Sequence, residues 1–419
     1  MRRPHRALAS LRGRRAGFLA LIAVLGPGLL AGLSDDDPAG ITTYSILGAD
    51  YGYRLLWVLA LSTLALIVFH ELAVRLGVVT GKGLMRLVSE RYGRRVTWGV
   101  LAALLIANVG TICAEFAGVA AGMQVLGGTS RYISVPLAAA AVSVLVLRGS
   151  FRRVEHVLLA LSAIFIAYVA SGLLARPDWG AAAHGLAVPG MPVTREAVLA
   201  VVATVGTTLA PWGLAFIQSY AVDKRLKVAD LRYERVDVIS GAVLTGIIGV
   251  FVVVACAATL HVDGRHIVDA ADAAVALRPL AGDAAQILFG VGLVGAGLLA
   301  AAVVPLSTAY SISEAFDKPA DLNDTFSAAP LFYGAYGASV LLAVILVLIP
   351  GAPLIPILFL SQALNAALLL AILPFLRALA CDRALMGEHR LGRLDSIASG
   401  VVIVLVAGCV AALFVLTVL

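Results

Sequence analysis

The sequence predicts an all-α polytopic membrane protein with eleven spans, arranged as two five-helix units of opposite orientation and one further helix. Three observations predict this fold class: a very apolar composition, basic residues concentrated in alternate loops, and two spans interrupted at equivalent places. Of the 419 residues, 61% are hydrophobic and only 13% are charged. Such a composition is typical of helices that face lipid as well as one another.

Apolar runs long enough to cross a bilayer recur from one end of the chain to the other. A helical span needs about 20 such residues. The strands of a membrane barrel would instead alternate apolar and polar residues over about ten positions. The runs are continuous, so helices are predicted. The eleven spans are expected roughly at residues 16–48, 54–75, 97–126, 132–148, 152–174, 195–221, 235–258, 285–312, 329–349, 354–376 and 395–418.

The distribution of Lys and Arg predicts the orientation of these spans. With the N-terminus inside, the inside loops hold 25 of the 31 basic residues, and cytoplasmic loops are the ones enriched in such residues. We therefore expect an integral inner (plasma) membrane protein with a cytoplasmic basic N-terminus at 1–15 and the C-terminus outside. Topology accounts for the net charge of +6, so the bilayer is the predicted partner and nucleic acid is not. A monomer is expected.

The first span is interrupted. The letters GPG at 26–28 and DDDPAG at 35–40 stand within an otherwise apolar run. Proline removes a backbone donor and disfavours helix at the preceding residue, Asp37. Two half-helices joined by an extended stretch at Asp36–Ala39 are therefore predicted. A carboxylate at membrane depth costs about 3 kcal/mol on insertion scales, so a cation that offsets this cost is expected nearby.

The sixth span is interrupted in the same way. The run VATVGTTLAPWGLAFIQSY at 202–220 has no charged residue, but it contains Gly206, Pro211 and Gly213. The break is predicted at Thr208–Gly213. Taken alone, a single break of this kind is better explained by a Pro kink in a packing helix.

Two breaks five spans apart are typical of an inverted repeat, in which unwound carbonyls and half-helix ends bind an ion. Unwound backbone at membrane depth is tolerated only against protein or a wet cavity. The expected arrangement is a LeuT-type fold with helices 1 and 6 broken. Its predicted repeats are 16–174 and 195–380, and 395–418 is the additional C-terminal helix.

At four places the sequence resembles the Nramp family of divalent-metal transporters. LAVRLGVVTGKGLMRLVSERYG at 72–93 resembles the family's link between helices two and three, and GSFRRVEHVL at 149–158 its link between helices four and five. SQALNAALLLAILPF at 361–375 resembles its tenth helix, and the DDDPAG stretch stands at its DPGN motif. The resemblance implies the same inverted-repeat fold, a transported divalent cation, no fixed cofactor and no enzymatic activity.

The chain departs from the family at the positions that the resemblance implies for the metal. Carried over residue by residue, the family aspartate falls on Asp37, its asparagine on Gly40, and the methionine of its MPHN motif on Ala210. A thioether favours transition metals, whereas Mg²⁺ is usually held through waters by one or two carboxylates. A roomier site without sulfur indicates Mg²⁺, with Mn²⁺ also carried, as in the Nramp-related magnesium transporters.

Groups that would carry protons in the family are also reduced. Its two sixth-helix histidines fall on Trp212 and Ile217, and an acidic pair of its third helix is represented by Glu115 alone. Histidine is the usual proton shuttle near neutral pH. Alternating access with weak or no proton coupling is therefore expected. Glu115 remains a candidate for gating, with a structural contact to a neighbouring helix as the alternative.

The cation is expected to be held by the Asp37 carboxylate, by main-chain carbonyls near Ser34 and Thr207, and by several waters. Asp36 either joins the site or lines its outer mouth. The predicted metal-site residues are Asp37, Ser34, Gly40, Thr207, Ala210, Gln362 and Asp36, and the predicted cavity or gating residues are Trp212, Gly213, Glu115 and Asn365.

Two further polar positions have two interpretations each. Gln362 and Asn365 lie on one helix face, and Gln362 matches a family glutamine that reaches the metal in some states. Hydrogen bonding between helices is the alternative for both. Glu314, near the inner end of the eighth span, is either a gate or a structural contact.

Several other functions are alternatives to magnesium transport. A proton-coupled Mn²⁺/Fe²⁺ carrier of the same fold is disfavoured by Ala210, Trp212 and Ile217. An amino-acid carrier would place positive half-helix ends at a substrate carboxylate, which Asp37 opposes. A cation channel has the same composition and is disfavoured only by the paired breaks. An intramembrane enzyme is disfavoured because the sequence has neither HExxH nor GxSxG.

Overall fold

A computed structural model describes residue 32 and residues 34–147, 167–268, 270–322 and 324–418. These residues form helices and the connections between them. Eight helical segments within the described ranges are long and apolar enough to cross a membrane, and a shorter apolar helix lies at Arg131–Leu147. The predicted all-α membrane fold class is confirmed.

Fourteen helices of eight or more residues are labelled in chain order. They are α1 (Pro38–Tyr51), α2 (Leu56–Thr80), α3 (Leu84–Gly127), α4 (Arg131–Leu147), α5 (Ala167–Leu174), α6 (Trp179–Ala187), α7 (Arg195–Thr208), α8 (Pro211–Asp223), α9 (Leu231–Cys256), α10 (Ala285–Ala315), α11 (Pro330–Val347), α12 (Leu354–Leu369), α13 (Leu373–Cys381) and α14 (Arg393–Val418).

The helix boundaries differ from the predicted spans in an instructive way. Segment α3 begins at Leu84, well before the predicted residue 97, and consists of two helices that meet at a kink at Gly93, whose φ of 78° and ψ of 170° are not helical. A continuous apolar run marks only the lipid-facing part of a helix, so polar turns outside the membrane escape it. The predicted N-terminal segment at 1–15, the GPG letters at 26–28 and most of the span at 152–174 lie outside the described residues.

Small residues let the central helices approach one another closely. A Cβ added at Gly206 of α7 would collide with the main chain of α12 at Gln362, and one at Gly77 of α2 would lie 2.6 Å from the Gln218 carbonyl oxygen of α8. A Cβ at Gly118 of α3 would meet the ring of Pro38. Close backbone approach at small residues is how helices associate in membranes, and here it positions both breaks.

Three connections gather at one end of the molecule, which we call the basic end: residues 81–83, 224–230 and 382–392. Ion pairs hold this end together. Arg91 pairs with Asp382 at 3.0 Å, and Arg235 pairs with Glu71 at 2.7 Å. The other end carries the turn after α1 and the connection before α7. The two broken helices meet between these ends, buried on all sides.

Candidate functional site

The first break lies at Asp36 and Asp37. These two residues are non-helical, and Asp37 is extended with φ −75° and ψ 169°. Its Oδ1 accepts a hydrogen bond from the Gly40 amide at 2.5 Å, so Asp37 caps α1, and Pro38 occupies the first helical position where its missing N–H costs nothing. The break is two residues shorter than the predicted Asp36–Ala39, because this cap lets the helix start at once.

The second break lies at Leu209 and Ala210, between the end of α7 and the start of α8. It is again shorter than the predicted Thr208–Gly213, because Pro211 opens the new helix rather than extending the interruption. Ala210 is extended with φ −73° and ψ 137°, and it offers no side-chain cap to α8. The last carbonyls of a helix and the first amides of the next lack intrahelical partners, so polar backbone groups face the break from both sides.

Three oxygen atoms converge on Gly40. A Cβ built there would lie 2.8 Å from the Asp35 carbonyl oxygen and 3.2 Å from both Asp37 Oδ1 and Thr207 Oγ1. Thr207 Oγ1 has no hydrogen-bond partner among the described residues. We call this space the Gly40 cradle. It joins the two breaks, because Asp37 belongs to the first break, Asp35 directly precedes it, and Thr207 lies at the end of α7.

The cradle corrects the expectation that glycine makes the site roomier. The room beside Gly40 is already occupied by the oxygens of Asp35, Asp37 and Thr207, so the glycine allows oxygens to converge rather than opening a gap. A side chain the size of the family's asparagine would displace at least the Asp35 carbonyl. What glycine provides here is close approach.

Some of the carboxylates around the Gly40 cradle have no hydrogen-bond partner among the described residues. Asp35 and Asp36 are each 1% exposed. Glu115 is fully buried and lies beside the Asp37 carboxylate. Both carboxylate oxygens of Asp35 and of Asp36 lack a hydrogen-bond partner among the described residues. A buried charge without a partner is strongly unfavourable, so a cation at this place would stabilise the arrangement.

The acidic side chains do not share a single metal position. Across the described ranges, no group of three or more His, Cys, Asp or Glu side chains is arranged to hold one metal ion. A cation in the Gly40 cradle would therefore meet one carboxylate, one hydroxyl and one main-chain carbonyl, with water for the remaining positions. A donor set made of oxygen alone suits a hard cation.

Of the other predicted residues, some lie at the first break and others take part in helix packing. Ser34 is buried next to the aspartates, and its Oγ has no hydrogen-bond partner among the described residues. The Trp212 ring packs within a hydrophobic cluster, 6.3 Å from the ring of Phe216, and its carbonyl accepts a bond from Ser307 Oγ. Ile217 is fully buried in a separate cluster. Trp212 and Ile217 thus occupy apolar surroundings.

Gln362 and Asn365 form a network between helices. Asn365 Nδ2 donates to Gln362 Oε1 and to Thr111 Oγ1 of α3, each at 3.0 Å, and Gln362 Nε2 donates to Ser361 Oγ at 3.0 Å. The Gln362 amide is thereby engaged within the bundle instead of with the Asp37 carboxylate. Its main chain packs against Gly206, one residue before Thr207. Asn365 thus makes the interhelical hydrogen bond, whereas the Gln362 side chain bonds only within α12.

Glu314 closes the path toward the basic end. Its Oε1 accepts from Ser219 Oγ of α8 at 2.5 Å, and its Oε2 accepts from the Met85 amide at the start of α3 at 3.2 Å. A Cβ on Gly83 would overlap this carboxylate. Gln218 adds a bond from Nε2 to the Lys82 carbonyl at 3.0 Å. We call these contacts the basic-end latch, because they join α3, α8 and α10.

On the side that leads to the opposite end, the path is closed at a point nearer to the two breaks. Tyr44 of α1 and Thr208 of α7 are joined through their hydroxyl oxygens at 3.0 Å. Beyond them, a cavity of about 440 Å³ opens between α3, α10 and α12, with Gln124 and Gln286 among its lining residues. The aspartates are therefore enclosed from both ends in this conformation.

Sequence reasoning missed two residues. Gly83 was not singled out, and its role is visible only from the Glu314 carboxylate that fills the space beside it. His70 was also passed over, although an ionisable side chain inside the predicted span 54–75 is a signal of function. Its ring is fully buried, and neither ring nitrogen has a hydrogen-bond partner among the described residues.

A family model described as "Natural resistance-associated macrophage protein-like", Nramp, matches residues 28–416. Among curated relatives, a protein named divalent metal cation transporter MntH from Burkholderia ambifaria is 33% identical over 319 residues, covering 72% of each chain. The protein of the same name from Aeromonas hydrophila is 27% identical over 398 residues, covering 92% of this chain and 94% of its own.

Solved structures show the same fold. A manganese transporter of Eremococcus coleocola superposes with a TM-score of 0.76 at 18% identity, covering 97% of this chain and 88% of its own. MhsT in complex with L-phenylalanine gives a TM-score of 0.63 at 15% identity, covering 94% of this chain and 97% of its own. The likeness to both supports the LeuT-type arrangement with two broken helices.

Proposed function

This chain belongs to the Nramp family, and on that premise we propose that it carries divalent metal cations across a membrane by alternating access. Mg²⁺ is the proposed main substrate, and Mn²⁺ is carried as well. The names of the curated relatives support the substrate class. Family membership also supports a transporter without an enzymatic step, whose divalent cation is cargo and not a fixed cofactor.

The observation that carries the magnesium proposal is the oxygen lining of the Gly40 cradle. The atoms that converge there are the Asp35 carbonyl oxygen, Asp37 Oδ1 and Thr207 Oγ1. Ala210, where the family motif has methionine, supplies no sulfur. Mg²⁺ keeps several waters and binds through one or two carboxylates, and nothing in this donor set favours a softer metal over it.

Transport with weak or no proton coupling is the second part of the proposal. The apolar surroundings of Trp212 and Ile217 support it, because neither side chain can relay a proton. The closed basic-end latch and the Tyr44–Thr208 contact support alternating access, since each would have to open in turn. The basic end is proposed to be cytoplasmic, in keeping with the enrichment of basic residues in cytoplasmic loops, and the unit of transport is proposed to be the monomer.

A proton-coupled Mn²⁺ carrier is the second candidate, and one specific contact favours it. The Glu115 and Asp37 carboxylates lie side by side in a buried place, and acidic side chains within membrane helices are typical members of proton relays. The solved relative with a TM-score of 0.76 is itself a manganese transporter. Cation selectivity and proton movement therefore have to be measured together.

The deciding experiment is ion-resolved uptake into proteoliposomes, with and without a pH gradient. A luminal magnesium or manganese dye reports the metal, and a luminal pH dye reports protons. We expect Mg²⁺ uptake, competition of millimolar Mg²⁺ with Mn²⁺, weak competition by Cd²⁺, and no acidification of the lumen. Asp37→Asn liposomes serve as the control. If a large excess of Mg²⁺ leaves Mn²⁺ uptake unchanged while protons enter, the proton-coupled carrier replaces the magnesium proposal.

A further inference from the structure

A second polar space lies beside the second break, at Gly213 in the first turn of α8. A Cβ built on Gly213 would lie 3.5 Å from His70 Nε2 and 3.6 Å from Asp35 Oδ1. Apart from the two neighbouring residues in the chain and the nearby backbone of α8, these are the only described atoms within 4 Å of that position. Two polar atoms from different helices thus face the same small space.

The two side chains are buried without hydrogen-bond partners among the described residues around them. His70 is fully buried and Asp35 is 1% exposed. Both nitrogens of His70 and both carboxylate oxygens of Asp35 lack hydrogen-bond partners in the described part of the chain. Buried polar groups are nearly always satisfied by protein, water or a ligand. The convergence of the two on one space indicates a binding position.

This space lies on the basic side of the Gly40 cradle. Helices α1 and α7 lead from the breaks to the opposite end, and Thr207 and Gly40 belong to them. Asp35 precedes the first break, and Gly213 follows the second, in the half-helix that leads to the basic end. His70 lies ten residues before Thr80, the basic end of α2, which is about 15 Å along the helix.

We propose that Asp35 and His70, around the space left by Gly213, form a second position for a divalent cation on the path between the Gly40 cradle and the basic end. The proposal rests on the transport function proposed above and deepens it. The two donors are one carboxylate oxygen and one imidazole nitrogen, with water for the remaining positions. Asp37 is not part of this position.

The ligand atoms of the Gly40 cradle and of the second position differ, and they determine which cation each position prefers. Imidazole binds first-row transition metals and has little affinity for Mg²⁺. The second position is therefore selective for Mn²⁺ over Mg²⁺, whereas the Gly40 cradle offers oxygen alone. A manganese ion bound at the second position carries one nitrogen ligand that a manganese ion in the cradle does not.

Nitrogen ligation can be read directly from Mn²⁺ bound to the purified full-length protein. Pulsed electron paramagnetic resonance detects modulation by an imidazole nitrogen coordinated to Mn²⁺. We expect this modulation in the wild-type protein, its loss in His70→Gln, and its loss in Gly213→Asn, whose side chain fills the space. His266→Gln is the matched control: His266 is an exposed histidine that contacts Asp50, and its replacement should leave the signal unchanged.

Binding and transport measurements add a second readout. His70→Gln should weaken Mn²⁺ binding at least about tenfold, a loss typical of damaged metal sites, whereas the control His266→Gln should leave Mn²⁺ binding unchanged. Asp37→Asn should abolish uptake of both metals and retain the nitrogen modulation. This variant separates the two proposals, because loss of transport with the modulation intact affects the cradle alone.

Two results would overturn the second position. One is a wild-type Mn²⁺ spectrum without nitrogen modulation at saturating metal. The other is a modulation that persists unchanged in a folded His70→Gln protein, which would place the nitrogen at another histidine. Either result leaves the proposed transport function standing if Asp37→Asn still abolishes uptake.

Discussion

Two regions of this molecule bury carboxylates, and the protein treats them differently. At the basic-end latch, the Glu314 carboxylate receives one hydrogen bond from Ser219 and another from the Met85 amide. At the first break, Asp35 and Asp36 are more deeply buried than the partly buried Glu314, yet their carboxylate oxygens find no partner among the described residues. The more deeply buried acids are thus the ones without hydrogen-bond donors.

The comparison shows that the presence of hydrogen-bond donors distinguishes a carboxylate with a structural role from one that binds a cation. An acid with two donors is held in place and stabilises one conformation. An acid without donors raises the free energy of the folded state until a cation or proton arrives. Each region also depends on a glycine: Gly83 admits the Glu314 carboxylate, and Gly40 admits three oxygens.

The largest expected effect is at the first break, where the Gly40 cradle lies. Asp37→Ala should abolish uptake of Mg²⁺ and Mn²⁺, because it removes the one carboxylate of the Gly40 cradle. It also removes the cap of α1, at a cost of about 1 kcal/mol of stability. Asp37→Asn keeps a capping oxygen and removes only the charge, so it should be folded and equally inactive. Uptake and thermal unfolding are measured on both; appreciable uptake by either folded variant would contradict the site.

Crowding the cradle should have the next largest effect. Gly40→Ala adds a Cβ 2.8 Å from the Asp35 carbonyl oxygen, which forces the converging oxygens apart. We expect cation affinity to fall by about tenfold or more, as for other disturbed metal sites, measured by calorimetry with Mg²⁺. Gly408→Ala in α14, where a Cβ meets nothing within 4 Å, is the control. Unchanged affinity in Gly40→Ala would show that the oxygens do not converge on the ion.

Weakening the basic-end latch should change the conformation of the protein rather than its affinity for the cation. Glu314→Gln replaces a group that accepts twice with one that accepts once, so Ser219 or the Met85 amide loses a charged partner worth about 1.5–3 kcal/mol. A cysteine introduced at the buried Ser311 should then react several-fold faster with a thiol reagent, while Mg²⁺ affinity changes little.

The matched control for this variant is Glu90→Gln. Glu90 makes half-exposed ion pairs with Lys82 and Arg86 at the same end, and such surface pairs contribute little. Its replacement should leave the labelling rate unchanged. Equal rates in Glu314→Gln and wild type would mean that the latch does not hold the basic end closed.

The smallest expected effect is a change in selectivity. Ala210→Met returns a thioether to the second break, and soft ligands favour Cd²⁺ over Mg²⁺. Competition by Cd²⁺ against Mn²⁺ uptake should strengthen by a few-fold, with Ala210→Leu as the control of similar size. If the leucine variant behaves like the methionine variant, side-chain volume and not sulfur explains the change.

Local sequence determined the helical class of the fold and the existence of both breaks. Length and apolar continuity identify a span, and proline with glycine identifies an interruption, because these are properties of neighbouring residues. The three aspartates were identified in the same way, as acids at membrane depth, and the resemblance to the family motif then singled out Asp37. The break boundaries were predicted too long, since the Asp37 side-chain cap and the opening position of Pro211 let each helix restart at once.

Only the tertiary structure decided which polar groups are satisfied. The sequence left Glu314 and Gln362 with two interpretations each, and the partners that distinguish them, Ser219, Met85 and Asn365, come from other helices or another turn. The meeting of Thr207 with Asp37 at Gly40, and of His70 with Asp35 at Gly213, joins residues far apart in the chain. Such contacts depend on how helices pack against each other, and local composition carries no information about that.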